Sequence, residues 1–351
     1  MTNLLRIQFA NAAEDWLENI EPEIKYSSFV RYYNIVHSHL LPEFAVIPVS
    51  EITREHVNRY RKMLLTSGGR NQTGLDPSTV TIILSVFRRI LTYSSIENES
   101  PVADLSSISV RQQYKPLRTF SLQEQQMLNQ YLSENISFPN IGILLTLYTG
   151  LRIGEVCALK WRDISLNDWN LYVHQTMQRI QTFQESPRTR ITITEPKSAC
   201  SIRHIPIPDF LHRILIKMYP GSSCYFLTGD PVRYIEPRSL ENQFARILKR
   251  LNIQDAKFHT LRHTFATRCV EQGFDIKTLS EILGHSSVNI TMNRYVHPSL
   301  EFKWENMNKL SDLFVGDRGT VLLSLNPCHK DLWYTPYPLH FRAFHQTGLP
   351  E

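Results

Sequence analysis

Apolar and polar positions alternate along this chain with two different periods, and the changes of period divide it. Over the first hundred residues apolar side chains recur every three to four positions, near 5–20, 27–41, 53–66 and 77–94. That is the spacing of one face of an α-helix. In the last segment Val80, Ile83, Leu84, Phe87, Ile90 and Leu91 form one stripe, with Arg88 and Arg89 off it. Asp76 before Pro77 predicts the start of that helix. A side-chain acceptor caps the first N–H groups, and proline is tolerated in the first turn. SGGRNQTG at 67–74 reads as a loop. The four segments predict a small helical bundle. Residues 98–118 are rich in Ser, Pro and Asn without an apolar period, and predict a linker.

The helical period resumes at Ser121, where Glu124 three residues on predicts a capping box. A helix is predicted over 139–149, then a turn and a new helical start in TGLRIGEVCALKW at 149–161. Between 164 and 208 the pattern changes to strands in LYVHQ, ITIT and IRHIPIP. KSACS at 197–201 is expected to be the hairpin turn between the last two. After 209 the chain is helical again, interrupted by YPGSSCYFLTGDP at 219–231, with Gly273 and Gly284 as helix stops. Leu300, Trp304, Met307 and Leu310 share one face of a last helix near 299–314. The tail from 316 is rich in Pro, Tyr and His and has no clear period.

At 351 residues the chain is long enough for two domains. With 42% hydrophobic and 20% charged residues it is neither disordered nor fibrous over most of its length. The apolar runs at 80–87 and 141–148 are too short to span a bilayer. The first thirty residues carry acids where a secretory signal needs a basic segment and an apolar one. Cysteines at 157, 200, 224, 269 and 328 form no CxxC pair, which indicates neither a disulfide framework nor a cysteine zinc site and fits a reducing cytoplasm. The net charge of +5 is unevenly spread. Residues 54–89 hold seven basic groups against two acids, whereas residues 1–53 hold three against seven. A basic helix face is either simply solvated or turned toward a polyanion, and charge alone does not separate the two.

Three strings carry candidate chemistry: TGLRIGE at 149–155, HTLRHTFATRC at 259–269 and LGHSSVNITMNRYVH at 283–297. The stretch 246–268 adds six basic groups against one acid. An arginine fork matches a phosphate and stays charged at neutral pH. Two forks from separate segments would neutralise the charge that grows on a pentacoordinate phosphate. Histidine can donate to the same oxygens or move protons. A tyrosine hydroxyl can attack phosphorus and form a covalent ester, which conserves the bond energy needed to reseal a strand. No carboxylate cluster suited to Mg²⁺ is evident, which disfavours a two-metal nuclease. His259 and His263 stand at zinc-helix spacing, but Thr260 occupies the place of the zincin glutamate. GHSSV lacks the final glycine and the preceding strand of a nucleophile elbow.

Taken in order, these residues resemble the tyrosine recombinase, or phage integrase, family, whose pattern is Arg, Lys, His-x-x-Arg, His or Trp, then Tyr. Arg152 in TGLRIGE matches the first arginine. Lys197 in EPKSACSIRHIPIP matches the hairpin lysine. His259 and Arg262 match the His-x-x-Arg box, His285 the histidine of LGH, and Tyr295 in NRYVH the nucleophile. Glu155 matches the acidic residue one turn after the arginine, which supports the site. The resemblance covers roughly 5–314, because the N-terminal helices are similar to the family's core-DNA-binding domain.

The resemblance implies a mainly α fold with a small β-sheet. A SAM-like helical core-binding domain would span 1–105, a linker 106–118, an α+β catalytic domain 119–315 and a tail of unknown structure 316–351. The two domains would close as a C-shaped clamp on duplex DNA, with Arg59, Lys62, Arg88 and Arg89 as candidate DNA contacts. Tyr295 would attack the scissile phosphate and leave a 3′-phosphotyrosyl bond and a free 5′-hydroxyl. Arg152 and Arg262 would hold the phosphate, and Lys197 would protonate the leaving oxygen. His259 would assist the tyrosine proton, and His285 would hydrogen-bond the phosphate. Four protomers would exchange strands between inverted-repeat core sites through a Holliday junction, without metal, nucleotide or other cofactor, and away from any membrane. The helices are expected to begin near residue 5, which would leave no room ahead of them for an arm-binding domain. That favours a simple recombinase on short inverted repeats or an element-borne integrase. A type IB topoisomerase, a telomere resolvase or a non-catalytic DNA-binding relative are the alternatives. The helix near 299–314 either docks on a neighbour or caps its own domain.

Overall fold

A computed structural model describes residues 7–97, 108–111, 117–183, 188–196, 198–296, 300–308 and 310. The expected tail 316–351 lies outside the described residues. The chain divides into two units, 1–297 and 298–351.

The first unit opens with the expected helical bundle. It comprises α1 (Phe9–Ile20), α2 (Tyr26–Ile35), α3 (Leu41–Phe44), α4 (Arg54–Ser67) and α5 (Pro77–Glu97). A π turn at Val36–Leu40 joins α2 to α3. Pro42 sits in the first turn of α3 and lacks the N–H that would continue the ladder. Asp76 Oδ1 accepts from the Ser78 N–H at 3.0 Å, so α5 is capped where the sequence predicts. The predicted stripe of α5 is its buried face. Phe87 of that stripe meets Phe9 and Phe44 at centroid distances of 5.2 and 4.7 Å. α5 has the length and apolar content of a bilayer span, unlike the shorter run read from the sequence, but this stripe is the bundle's own core. Ile108 is buried against the same core and Val110 packs on it, although composition placed both in a linker. Apolar side chains decide the matter there, and the bundle keeps them.

The second part of this unit contains α6 (Leu122–Glu134), α7 (Phe138–Thr149), α8 (Ile153–Ala158), β1 (Ile164–Ser165), β2 (Asn170–Val173), β3 (Thr176–Gln181), β4 (Thr189–Thr194) and β5 (Arg203–Pro206). It then runs through α9 (Asp209–Met218), α10 (Pro237–Arg250), α11 (Phe258–Glu271), α12 (Ile276–Leu283) and α13 (Val288–Tyr295). The capping box at α6 forms as predicted, with Glu124 N–H donating to Ser121 Oγ at 3.1 Å and Ser121 N–H to Glu124 Oε2 at 2.8 Å. α7 is buried almost all round and serves as the axis of this core.

One strand pairing differs from expectation. β4 does not form a hairpin with β5 across KSACS. β3 pairs antiparallel with β4, and β5 pairs with β2 beside β1. Six residue pairs from Thr176↔Thr194 to Gln181↔Thr189 use up the edge of β4 that faces β3. The segment after β4 is therefore a connection between two sheets, with a short turn at Ala199–Ser201. The β3–β4 hairpin also touches the bundle: Phe183 meets Tyr33 at a centroid distance of 4.1 Å, and Lys25 Nζ donates to the Pro196 carbonyl at 3.1 Å.

Two helix ends frame the centre of this part. α7 ends at Gly150 with φ 67° and α12 ends at Gly284 with φ 64°. A Cβ at Gly150 would lie 2.6 Å from Phe265 and 2.8 Å from Leu283. The second unit holds α14 (Leu300–Asn308), on which Trp304 and Met307 are exposed.

Gly150→Ala combines a positive φ with a collision, whereas Gly273 (φ 77°) has open space around its Cβ position. Gly150→Ala is expected to cost about 1–3 kcal/mol for the backbone alone plus the repacking, and Gly273→Ala less. Urea unfolding midpoints check this order; equal shifts would refute it.

Candidate active site

Five of the six residues predicted to carry the chemistry come together where α11 passes the ends of α7, α12 and α13. The sixth, Lys197, lies outside the described residues.

Arg262 is the innermost. It is 2% exposed, on a helix that buries the Phe258, Leu261 and Cys269 face. Its guanidinium donates to the Gly150 carbonyl at 2.7 Å and to the Leu283 carbonyl at 2.7 Å. Nη2 also donates to His285 Nε2 at 3.0 Å. Arginine has no acceptor, so this contact fixes Nε2 as the unprotonated nitrogen of His285. Nδ1–H then donates to Thr291 Oγ1 at 2.8 Å. Burial first, then the charge of Arg152, lowers the Arg262 pKa to about 9, which leaves it a cation at neutral pH.

Arg152 caps the start of α8 and is more open, with 37% of its side chain exposed. Its backbone N–H and Nη1 donate to the two oxygens of Glu155 at 2.8 Å each. Nη2 reaches the Gly284 carbonyl at 3.2 Å. Glu155 is buried, which opposes its charge, but Arg203 and Arg152 outweigh this and hold its carboxyl below the usual range. Sequence reasoning missed Arg203. It is buried, pairs with Glu155 at 2.9 and 3.1 Å, and donates from Nε to the Ile282 carbonyl at 2.6 Å. Its signal was an arginine at the start of a strand, which has no pattern of its own.

Tyr295 ends α13, is 7% exposed, and packs with Ala266, Cys269, Leu279 and Leu283. Its hydroxyl lies 2.9 Å from Nδ1 of His263, a residue that spacing offered only as half of a zinc pair. His259 stands exposed at the mouth, its ring perpendicular to that of His263 at 4.4 Å. The His285 ring lies parallel to Tyr295 at 6.4 Å. Burial and then Arg262, Arg294 and Arg152 lower the pKa of His259 to about 4; water at its exposed face softens that pull. Burial and then Arg262 hold His285 at about 4. Burial and then His259 take His263 to about 3. Burial raises the Tyr295 pKa, and Arg262, Arg294 and Arg152 counter it. The site is thus a pair of cations and three neutral imidazoles around a shielded phenol. Among the described residues no group of three or more His, Cys, Asp or Glu side chains is placed to hold a metal ion.

A profile of the phage integrase family matches residues 119–301, just over half of the chain. The chain belongs to the phage integrase family. Residues 8–65 also match the family's N-terminal SAM-like domain. A tyrosine recombinase XerC-like protein of Caldanaerobacter subterraneus is 34% identical over 190 residues, 49% of each chain, so this chain spans about half the length of that relative. The ICEBs1 integrase of Bacillus subtilis is 22% identical over 322 residues, 88% of this chain and 83% of that protein. Among solved structures, the Tn1549 transposon integrase in complex with transposon right-end DNA is similar with a TM-score of 0.73 at 16% identity, covering 87% of this chain and 100% of that one. A lambda integrase tetramer bound to a Holliday junction is similar with a TM-score of 0.60 at 15% identity, covering 84% and 80%. Both likenesses concern the integrase fold. The predicted fold class, mainly α with small sheets, a SAM-like domain and a catalytic domain, is the one found.

The four candidate DNA contacts of this family member differ in surroundings. Arg59 and Lys62 are exposed on α4, Arg59 beside Glu55 at 3.8 Å. Arg88 donates to the Ile108 carbonyl and ties down the segment after α5. Arg89 is exposed and donates to the Tyr32 hydroxyl at 3.0 Å.

The histidine shifts set a pH dependence of stability. An unfolded histidine titrates near 6.5, so between about pH 4 and 6.5 the unfolded chain binds more protons than the folded one. Stability from this source is complete above pH 6.5 and is lost as the pH falls toward 4. The melting temperature is expected to drop across that window, and to drop less steeply in His285→Gln, whose amide oxygen can replace Nε2 as acceptor. Identical pH slopes would show that these imidazoles do not carry the effect.

Proposed function

We propose that this integrase family member is a site-specific DNA recombinase that cleaves and rejoins strands through a covalent bond between Tyr295 and a 3′-phosphate. One observation carries the reading: a shielded tyrosine hydroxyl beside two arginines delivered by separate helices. Site-specific recombination is also the activity that family membership supports.

In this reading the Tyr295 oxygen attacks phosphorus, and the bond to the 5′-oxygen breaks. Arg152, the more open of the two cations, meets the non-bridging oxygens directly. Arg262 supports them from below, and His285 donates to them once Nε2 is released from Arg262 and takes up a proton. His259 assists the transfer of the tyrosine proton, and Lys197 protonates the leaving 5′-oxygen. The free 5′-hydroxyl of a partner duplex reverses the step, so the energy of the phosphodiester is kept in the enzyme ester. The chain's own groups supply the charge stabilisation, and the reading calls on no metal, nucleotide or other cofactor. The partner is double-stranded DNA with inverted-repeat core sites, gripped as in a C-shaped clamp by the bundle over 1–105 and the catalytic domain over 119–315. Four protomers act on two sites through a Holliday junction, in the cytoplasm. The solved relatives bound to DNA and to a Holliday junction support this assembly.

The test is a nicked suicide duplex carrying the cognate site. The wild type is expected to form a covalent adduct and Tyr295→Phe none; an adduct from Tyr295→Phe would sink the reading. Relaxation of plasmids that lack any specific site would point to a topoisomerase. Arg152→Ala should keep its fold and its DNA affinity and lose about 3–4 kcal/mol of transition-state stabilisation, measured as single-turnover cleavage. Arg262→Ala should lose cleavage and also melt at a lower temperature, because its guanidinium ties two helix ends.

Arg59→Ala and Lys62→Ala should weaken binding to all duplexes and lower the salt slope by about one each if each meets a phosphate. Arg88→Ala should change stability more than slope. An unchanged slope in the first two would exclude that face of α4.

A further inference from the structure

The family resemblance gives His259 the help with the tyrosine proton, but the buried phenol is hydrogen-bonded to another histidine of α11. We infer that His263, through Nδ1, is the proton acceptor for Tyr295 in the cleavage step. The inference rests on the recombinase reading above and deepens it.

The argument is one of contact and elimination. Nδ1 of His263 lies 2.9 Å from the hydroxyl, within the reach a general base requires. His285 has both ring nitrogens engaged, Nε2 by Arg262 and Nδ1 by Thr291. His259 is exposed, and its ring contact is to His263 edge-on at 4.4 Å. Glu155 is occupied on both oxygens by Arg152 and Arg203. Around the hydroxyl, among the described residues, His263 is therefore the base in position. It stands directly after Arg262 on α11, so the residue that fixes the helix ends also sets the acceptor's place.

The groups facing His263 are His259 and Arg262 from α11, Arg294 and Tyr295 from α13, and His285 from the turn before it. Burial keeps His263 neutral, and none of these groups is an anion in the resting state; in the tautomer with its proton on Nε2, Nδ1 accepts from the hydroxyl. Such a base is weak before substrate binds. The approach of a phosphate anion strengthens it, because the imidazolium that forms is then paired with negative charge. The step balances as follows. The Oη–H bond breaks and its proton moves to Nδ1. The Oη–P bond forms, the P–O5′ bond breaks, and the departing oxygen takes a proton from the Lys197 ammonium. Religation runs the same transfers backward.

The test compares His263→Asn with wild type in single-turnover cleavage of the suicide duplex, using the full chain. The asparagine amide oxygen can take the place of Nδ1 and hold the tyrosine, but it cannot keep a proton. DNA affinity is expected to be unchanged. Cleavage is expected to fall about 100-fold or more. It should also rise with pH up to tenfold per unit, as solvent base takes over, where the wild type is flat. A duplex with sulfur in place of the scissile 5′-oxygen needs no acid; it should rescue Lys197→Ala and leave His263→Asn slow. His263→Asn cleaving within threefold of wild type would overturn the inference, as would a slow variant with the wild-type pH profile or one rescued by the sulfur. If His263→Asn does not fold, His259→Asn on the sulfur duplex decides. It is expected to cleave there with the wild-type rate and pH profile if Tyr295 hands its proton to His263, and a slow His259→Asn whose rate rises with pH would overturn the inference. A wild type that forms no adduct at all would instead remove the recombinase reading itself.

Discussion

A cation buried to 2% exposure is the constraint on which this catalytic domain is built. Taking a guanidinium out of water is costly, and the cost is met only where acceptors are waiting. Here the acceptors are carbonyls at the C-terminal ends of two helices: Gly150, which closes α7, and Leu283, the last residue of α12. Helix C-termini leave carbonyls without intrahelical partners and carry the negative end of the helix dipole. Arg262 therefore satisfies two helix ends at once, and each end supplies part of its solvation. The left-handed glycines follow from the same requirement. Each lets a helix stop abruptly enough for its last carbonyls to turn toward one guanidinium.

Charge around that tie explains the rest of the site. Arg152, Arg203 and Arg262 cluster with one carboxylate, Glu155, and Arg294 of α13 adds to the positive excess around them. The histidines nearby stay neutral, first because burial opposes their charge and then because protonation would add to a positive excess already present. Arg203 and Arg152 divide the work on Glu155. Arg203 stays buried and fixes the carboxylate from within, which frees Arg152 to lie partly in solvent at the mouth.

The legible part of the fold was the part written in apolar period and caps. The α5 stripe, the Ser121 box and the glycine stops stand where the residues predicted them. Strand pairing was not legible, because alternation tells which face of a strand is buried and not which neighbour it meets. ITIT and IRHIPIP therefore looked like one hairpin, and belong to two sheets. Ile108 was lost in a polar, period-free segment, since one apolar residue makes no pattern. In the site, residues with an ordered family pattern were found, five of them in one place. His263 and Arg203 were missed because their roles depend on what faces them across the fold, 32 and 48 residues away in sequence.

The resting arrangement is locked in a way that a phosphate would undo. Nε2 of His285 accepts from Arg262, so in this tautomer it has no proton to offer an incoming oxygen. The Tyr295 hydroxyl is shielded, and burial disfavours its anion. An anion set between Arg152 and Arg262 reverses the local field. It draws the guanidinium donors toward itself and makes a protonated imidazole favourable where it was not. In the proposed reaction the charge excess that adds to burial in keeping the histidines neutral would also recruit the phosphate, and cancelling it would let them take up protons. Glu155 limits the excess, because it removes one unit of positive charge from the cluster. A site with no such carboxylate would hold a larger repulsion among its arginines and close less tightly around Arg262. The depth of Arg262 and the exposure of Arg152 are in this sense one design, a fixed cation that orders the helices and a second one that lies partly in solvent.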